Sequence, residues 1–226
     1  MPFIFCLYFL KKGVSKDLKV FFVYSSVLFL SIVVLIMLRY VFKSYTTYLF
    51  YNRFYLVAEF ALISQFFVYN IAQPKLKKVI NFLILPFVVF SIFDYITSQN
   101  QPFTYYTLAF ECILFPFIIL LFFYEKMKYD SKYPIYYAPA FWIAVAFLIF
   151  STGNFFLFLF SKMLLQNKEN KILYNDIYGT FTILKNILLC VAVIVAKNST
   201  NNDNPSDINV SLDLDTKILF NNKANI

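Results

Sequence analysis

Histidine is absent from the 226 residues, and with it the commonest general base and metal ligand. Cysteine is scarce. Cys6, Cys112 and Cys190 each lie in an apolar stretch, far apart and without a CxxC spacing, so zinc, haem and disulfide frameworks have little to stand on. The three glycines, Gly13, Gly153 and Gly179, build neither GxxxxGK nor GxGxxG, which excludes those phosphate-cradling loops. Charge is thin as well: 14% of residues are Asp, Glu, Lys or Arg, against roughly 25% in an ordinary soluble domain.

Apolar side chains fill the space. The chain is 61% hydrophobic and 22% aromatic, with a mean hydropathy of +0.67. One water-soluble core cannot hide that much apolar surface, and disorder, collagen and disulfide-scaffold readings fail on the same composition. The fold class expected is therefore all-α, a polytopic bundle of transmembrane helices. The net charge of +8 would point to nucleic acid in a soluble protein. Here the lysines sit between apolar runs, where orienting helices in a bilayer explains them, and no nucleic-acid partner is expected.

A hydrocarbon core about 30 Å thick needs roughly 20 apolar residues rising about 1.5 Å each. Six segments meet that length: Val20 to Leu38, Thr46 to Ala72, Val79 to Thr97, Phe103 to Tyr124, Pro139 to Phe160 and Leu173 to Ala196. Residues 18–197 thus form the bundle. Residues 1–17 hold a short apolar segment, Met1 to Leu10, and a basic link; the segment lies along the interface or is the stump of a longer helix. Its lysines follow the apolar run, the wrong order for a signal peptide. Residues 198–226, rich in Asn, Asp and Ser, read as a mostly disordered tail.

With six spans, one side carries Lys11, Lys12, Lys16, Lys19, Lys75, Lys77, Lys78, Lys126, Lys128, Lys132 and Lys197. The other carries Arg39, Lys43, Arg53, Lys162, Lys168 and Lys171. The richer side is expected in the cytoplasm, which puts a multi-pass protein in the cytoplasmic (inner) membrane with its carboxyl terminus inside. Tyr45, Tyr48, Tyr51, Tyr105, Tyr106, Tyr136 and Tyr137 crowd the span ends, where the headgroup region suits their rings.

Four ionisable residues interrupt the spans: Glu59, Asp94, Glu111 and Lys185. A charge at the bilayer centre costs about 2.5–3.5 kcal/mol on insertion scales, so such groups face the bundle and find partners. Helical spacing aligns Asn52, Tyr55 and Asn70 with Glu59, and Thr104 and Thr107 with Glu111. Asn154 lies one turn from Ser151, and Asn186 follows Lys185. Counting depth gathers Asn52, Tyr55, Glu59, Asp94, Thr107, Glu111, Asn154, Lys185 and Asn186 at the outer and middle levels. A polar pocket open to the outside is expected there, with Lys185 paired to Glu59 or Glu111. Interhelical glue is the structural alternative. Pro116 removes the helical bond to the Cys112 carbonyl, next to Glu111.

Tyr51-Asn52, then Glu59 and a Phe-Phe-rich helix end, followed by Pro139-Ala140-Phe141-Trp142-Ile143, Gly153-Asn154 and Asn186, resemble a family of uncharacterised bacterial seven-helix membrane proteins. That family is related in appearance to the membrane modules of sensor histidine kinases. The resemblance covers Val20 to Ala196 and implies seven helices, the amino end outside and the carboxyl end inside. This chain departs from it where the first apolar stretch stops at Leu10. No catalytic residues come with the resemblance, and no cofactor or metal is expected.

The reading that follows is a non-enzymatic membrane protein of sensory or accessory signalling type, whose partners are the bilayer and a membrane or cytoplasmic signalling protein. The alternative is a small-solute or proton-linked transporter using Glu59, Glu111 and Lys185. A lipid enzyme with Glu59 and Glu111 as acid and base finds no histidine, metal cluster or nucleophile elbow to support it. A retinal Schiff base on Lys185 lacks a counterion at the right spacing, since Asp176 is nine residues away.

Overall fold

The computed structural model describes residues 16–41, 45–97, 105–128, 134–166 and 168–201. The segment Met1 to Leu10, the loop 98–104 and residues 202–226 of the tail lie outside that set. Among the described residues there is helix and no strand. Helix α1 (Lys16–Ile36) runs into a π-helical turn (Met37–Val41), and α2 (Tyr45–Asn70), α3 (Pro74–Thr97) and α4 (Tyr105–Lys128) follow. A 3₁₀ turn (Ile135–Tyr137) leads into α5 (Pro139–Leu159), then the one-turn α6 (Ser161–Leu164) and the long α7 (Lys168–Asn201). Consecutive long helices pack side by side, α2 also touches α4, and α1 reaches across to α5.

Five of these helices, over Phe22–Val41, Pro74–Thr97, Tyr106–Lys128, Pro139–Leu159 and Lys168–Ala196, are long and apolar enough to cross a membrane. Helix α2 is not among them, because Asn52, Arg53, Glu59, Gln65 and Asn70 dilute its apolar content. Its 26 residues match the length of its neighbours, and it joins the end of α1 to the start of α3.

The helices extend beyond the apolar runs at several ends, for local reasons. Helix α3 starts at Pro74 instead of Val79, since proline suits the first helical position and the lysine-bearing link winds into the first turn. Helix α4 continues to Lys128, which brings Glu125 into it. Helix α7 starts at Lys168, with Glu169 in the first turn where the helix dipole favours an anion. At 34 residues, or about 50 Å, it outruns the hydrocarbon core.

Each helix divides into two stripes at three-to-four spacing. On α3, Phe82, Leu85, Val89, Ile92 and Ile96 are exposed, Phe82 to 70%, while Ile80, Phe87, Ser91 and Asp94 are buried. On α4, Thr107, Glu111, Leu114, Ile118, Phe122 and Glu125 share the buried stripe, and Ile113, Phe117 and Leu120 face out. The exposed stripes are apolar and the buried ones hold the polar groups, the arrangement that lipid as solvent requires.

Between helices in lipid, packing replaces the hydrophobic drive, and small residues let backbones approach. Ala140 and Ala144 on α5, and Ala192 and Ala196 on α7, are almost fully buried at this four-residue spacing. Further along the same pair, Gly153 lies so close to α7 that a methyl group there would overlap the Phe181 ring. The centre is filled by phenylalanines: Phe60 meets Phe87 at 4.2 Å and Phe115 at 5.2 Å between ring centroids, and Phe115 meets Phe147 at 5.6 Å. Such pairs each contribute about 0.5–1.5 kcal/mol beyond area burial.

Candidate functional site

The buried stripes bring ionisable groups from several helices to three levels of the bundle. At the middle level, Glu59 of α2 accepts a hydrogen bond from the Tyr24 hydroxyl of α1 at 3.1 Å. Tyr55, one turn before Glu59, adds a second phenol beside that carboxylate. Glu111 of α4, 5% exposed, lies in the electrostatic range of both Glu59 and Lys185. Its Oε1 is buried and has no hydrogen-bond donor. Tyr178 of α7 lies near both carboxylates.

Lys185 of α7, 9% exposed, places its Nζ 3.9 Å from the centroid of the Phe150 ring and 5.4 Å from that of Phe147, both on α5. A desolvated cation over an aromatic face gains about 2 kcal/mol. The expected ion pair is not formed: among the described residues no carboxylate oxygen lies within 4.0 Å of the ammonium. The aromatic faces of α5 stand where the lysine tip ends, so the charge rests on rings, with Glu111 in its electrostatic range.

The second level holds α2, α3 and α4 together at the end where α3 finishes and α4 begins. Thr107 donates to Asp94 Oδ2 at 2.8 Å, with both residues buried. Arg53, counted among the basic residues of the less basic side although it falls inside the span Thr46 to Ala72, is buried within α2 on the stripe Arg53, Leu56, Phe60, Ile63 and Phe67. Its Nη1 donates to the Tyr95 carbonyl at 3.3 Å, and its guanidinium lies 4.8 Å from the centroid of that residue's ring.

The third level is at the opposite end. Glu125, 2% exposed, accepts from the backbone N–H groups of Ala72 and Gln73 at 2.6 and 2.8 Å. Those N–H groups lie just ahead of α3, so the carboxylate of α4 caps the chain reversal between α2 and α3. This contact also places Lys75, Lys77 and Lys78 at the same end of the bundle as Lys126 and Lys128.

The nine expected pocket residues therefore separate. Tyr55, Glu59, Glu111 and Lys185 come together at mid-bundle, while Asp94 and Thr107 form a pair of their own nearer the α3–α4 end. Asn154 is buried, but its Nδ2 donates to the Phe150 carbonyl of its own helix at 2.8 Å, and its Oδ1 has no partner. Asn52 and Asn186 are half-buried on the edges of their helices. Asn70, aligned with Glu59 by spacing, bonds the Phe66 carbonyl of its own helix at 2.9 Å. A separate, open groove of about 380 Å³ lies among α5, α6 and α7, lined by Gly153, Phe156, Leu157, Phe160, Met163, Leu164 and Ile177. It is apolar and does not include the ionisable groups.

Tyr24, Tyr178 and Glu125 are the participants that sequence reasoning missed. Glu125 carried a readable signal, since it lies fourteen residues after Glu111, four turns on along the same stripe. Tyr24 sits well inside an apolar run, away from the span ends where tyrosine anchors the interface. No family model, curated protein or solved structure matches this chain.

Proposed function

We propose that this chain is a non-enzymatic integral membrane protein of sensory or accessory type, acting through a polar site at the centre of its helical bundle. The observation that carries the reading is the convergence of Glu59, Glu111 and Lys185 from three helices without closure into an ion pair. A site held by such incomplete interactions ties its chemical state to the packing of α1, α2, α4, α5 and α7. A change of state then reaches the lysine-rich end of the bundle through α2 and α4, where Glu125 joins them. The resemblance to the bacterial seven-helix family supports the reading, as does the lysine-rich end, which we place in the cytoplasm of a bacterial inner membrane.

Purification of the full chain from its native membrane in mild detergent tests this. One signalling protein should co-elute at a fixed stoichiometry, and Glu59→Gln should change that association. Elution of the wild-type chain alone contradicts the reading.

Transport is the second reading, favoured by the location of the same three ionisable groups inside spanning helices. Under it, Glu59→Gln abolishes a solute or proton flux measured in proteoliposomes. Unchanged flux removes the carboxylate from any such mechanism.

A further inference from the structure

We propose that the Glu59–Glu111–Lys185 cluster is a binding site for a single proton, carried on Glu111 Oε1. The proposal rests on the reading of this cluster as the functional centre and names its ligand. Two carboxylates and one ammonium leave a net charge of −1 inside the bundle when all three are ionised. One bound proton makes the site neutral, and two neighbouring carboxylates in a shared low-dielectric site strongly disfavour joint ionisation.

Geometry says which oxygen takes the proton. Glu59 already accepts the Tyr24 hydroxyl, whereas Glu111 Oε1 is buried without a donor. The reaction is protonation of a carboxylate to a carboxylic acid, with water at the bundle surface as proton source and no other co-reactant. A metal ion fits less well. Among the described residues no three carboxylate, thiol or imidazole groups gather as ligands, and a second cation would sit beside the Lys185 ammonium.

The other titratable groups facing the site are Tyr24 from α1, Tyr55 from α2, Cys112 from α4 and Tyr178 from α7. Helix α5 contributes Phe147 and Phe150. From α3, the nearest carboxylate is Asp94, which is bonded to Thr107.

Infrared spectroscopy of the full chain in phosphatidylcholine vesicles at neutral pH reads the proton directly. A protonated carboxylic acid has a C=O stretch above the amide I band, and it shifts in D₂O. The wild type should show one such band, lost in Glu111→Gln and kept in Asp94→Asn and Glu125→Gln. Glu59→Gln should also lose it, although Glu111 is intact, because Glu111 and Lys185 are then neutral as a pair. Lys185→Met should raise the band area about two-fold, since both carboxylates must then be protonated. A wild-type spectrum without the band overturns the proposal, and so does a band that survives Glu111→Gln or follows Asp94 or Glu125. A band that survives Glu59→Gln overturns the charge balance on which it stands. Where a variant fails to fold, absence of the band from the wild-type spectrum still overturns the proposal. Loss of the signalling partner with the band intact would refute the functional reading alone.

Discussion

Tyr24 and Gly153 locate the two kinds of contact on which single residues act in this bundle. The Tyr24 hydroxyl reaches Glu59 across a helix interface. Polar contacts between membrane helices average about 0.6 kcal/mol, and a charged acceptor raises the value. Tyr24→Phe is therefore expected to cost about 1.5 kcal/mol of bundle stability, measured by reversible unfolding in lipid–detergent bicelles. A change indistinguishable from zero would mean the contact holds nothing. Gly153 acts through space. Gly153→Ala forces a methyl into the Phe181 ring and should cost about 1–3 kcal/mol by overpacking. Adding Phe181→Ala should return part of that loss, a coupling that a double-mutant cycle in the same unfolding assay reads. Sequence alone marks Gly153 as one of three glycines. It does not show that an aromatic ring from α7 lies on it, because that contact depends on helix pairing.

At the scale of the helix, much was legible for one physical reason. A crossing needs about twenty apolar residues, and that requirement is written in consecutive positions. The central stretches of all six long helices match the expected spans. The ends at Thr97 and Pro139 match too, but several others do not, because helix termini follow capping and dipole effects that extend past the apolar run, as at Pro74, Lys128 and Lys168. Glu125 belongs to such an extension. Cut off at Tyr124, the span omits the carboxylate that fixes the turn between α2 and α3. Glu125→Gln weakens two charge-assisted hydrogen bonds, each worth about 1.5–3 kcal/mol. The expected result is faster hydrogen exchange at the Ala72 and Gln73 amides, with exchange in the middle of α3 unchanged. Equal exchange in both proteins would show that the cap is not formed in the bilayer.

For the whole molecule, the central site was only partly readable. Spacing puts Glu59, Glu111 and Lys185 on inward stripes, and the fold does bring them together. What spacing cannot supply is the identity of the partners, since Tyr24, Phe147 and Phe150 come from helices remote in sequence. Hence Lys185 was expected on a carboxylate and lies on aromatic rings, and Thr107 was expected near Glu111 and bonds Asp94. Arg53 belongs to the same lesson: a basic residue near a span end reads as a topogenic signal, yet here it is buried against Tyr95.

Everything functional in this molecule requires that lipid bathes the exposed stripes and that the ionisable groups turn away from it. Helix α7 offers the clearest reading of that division, with Ile183, Ile187 and Ile194 exposed and Lys185, Leu189, Ala192, Val193 and Ala196 buried. Nitroxide labels placed one at a time along residues 183–196, in the full chain reconstituted into bilayers, report contact with lipid through relaxation by dissolved oxygen. Accessibility should peak at 183, 187 and 194 and fall to a minimum at 189, 192, 193 and 196, the stripe that holds Lys185. Peaks on that second set would put Lys185 against the hydrocarbon tails and contradict the site.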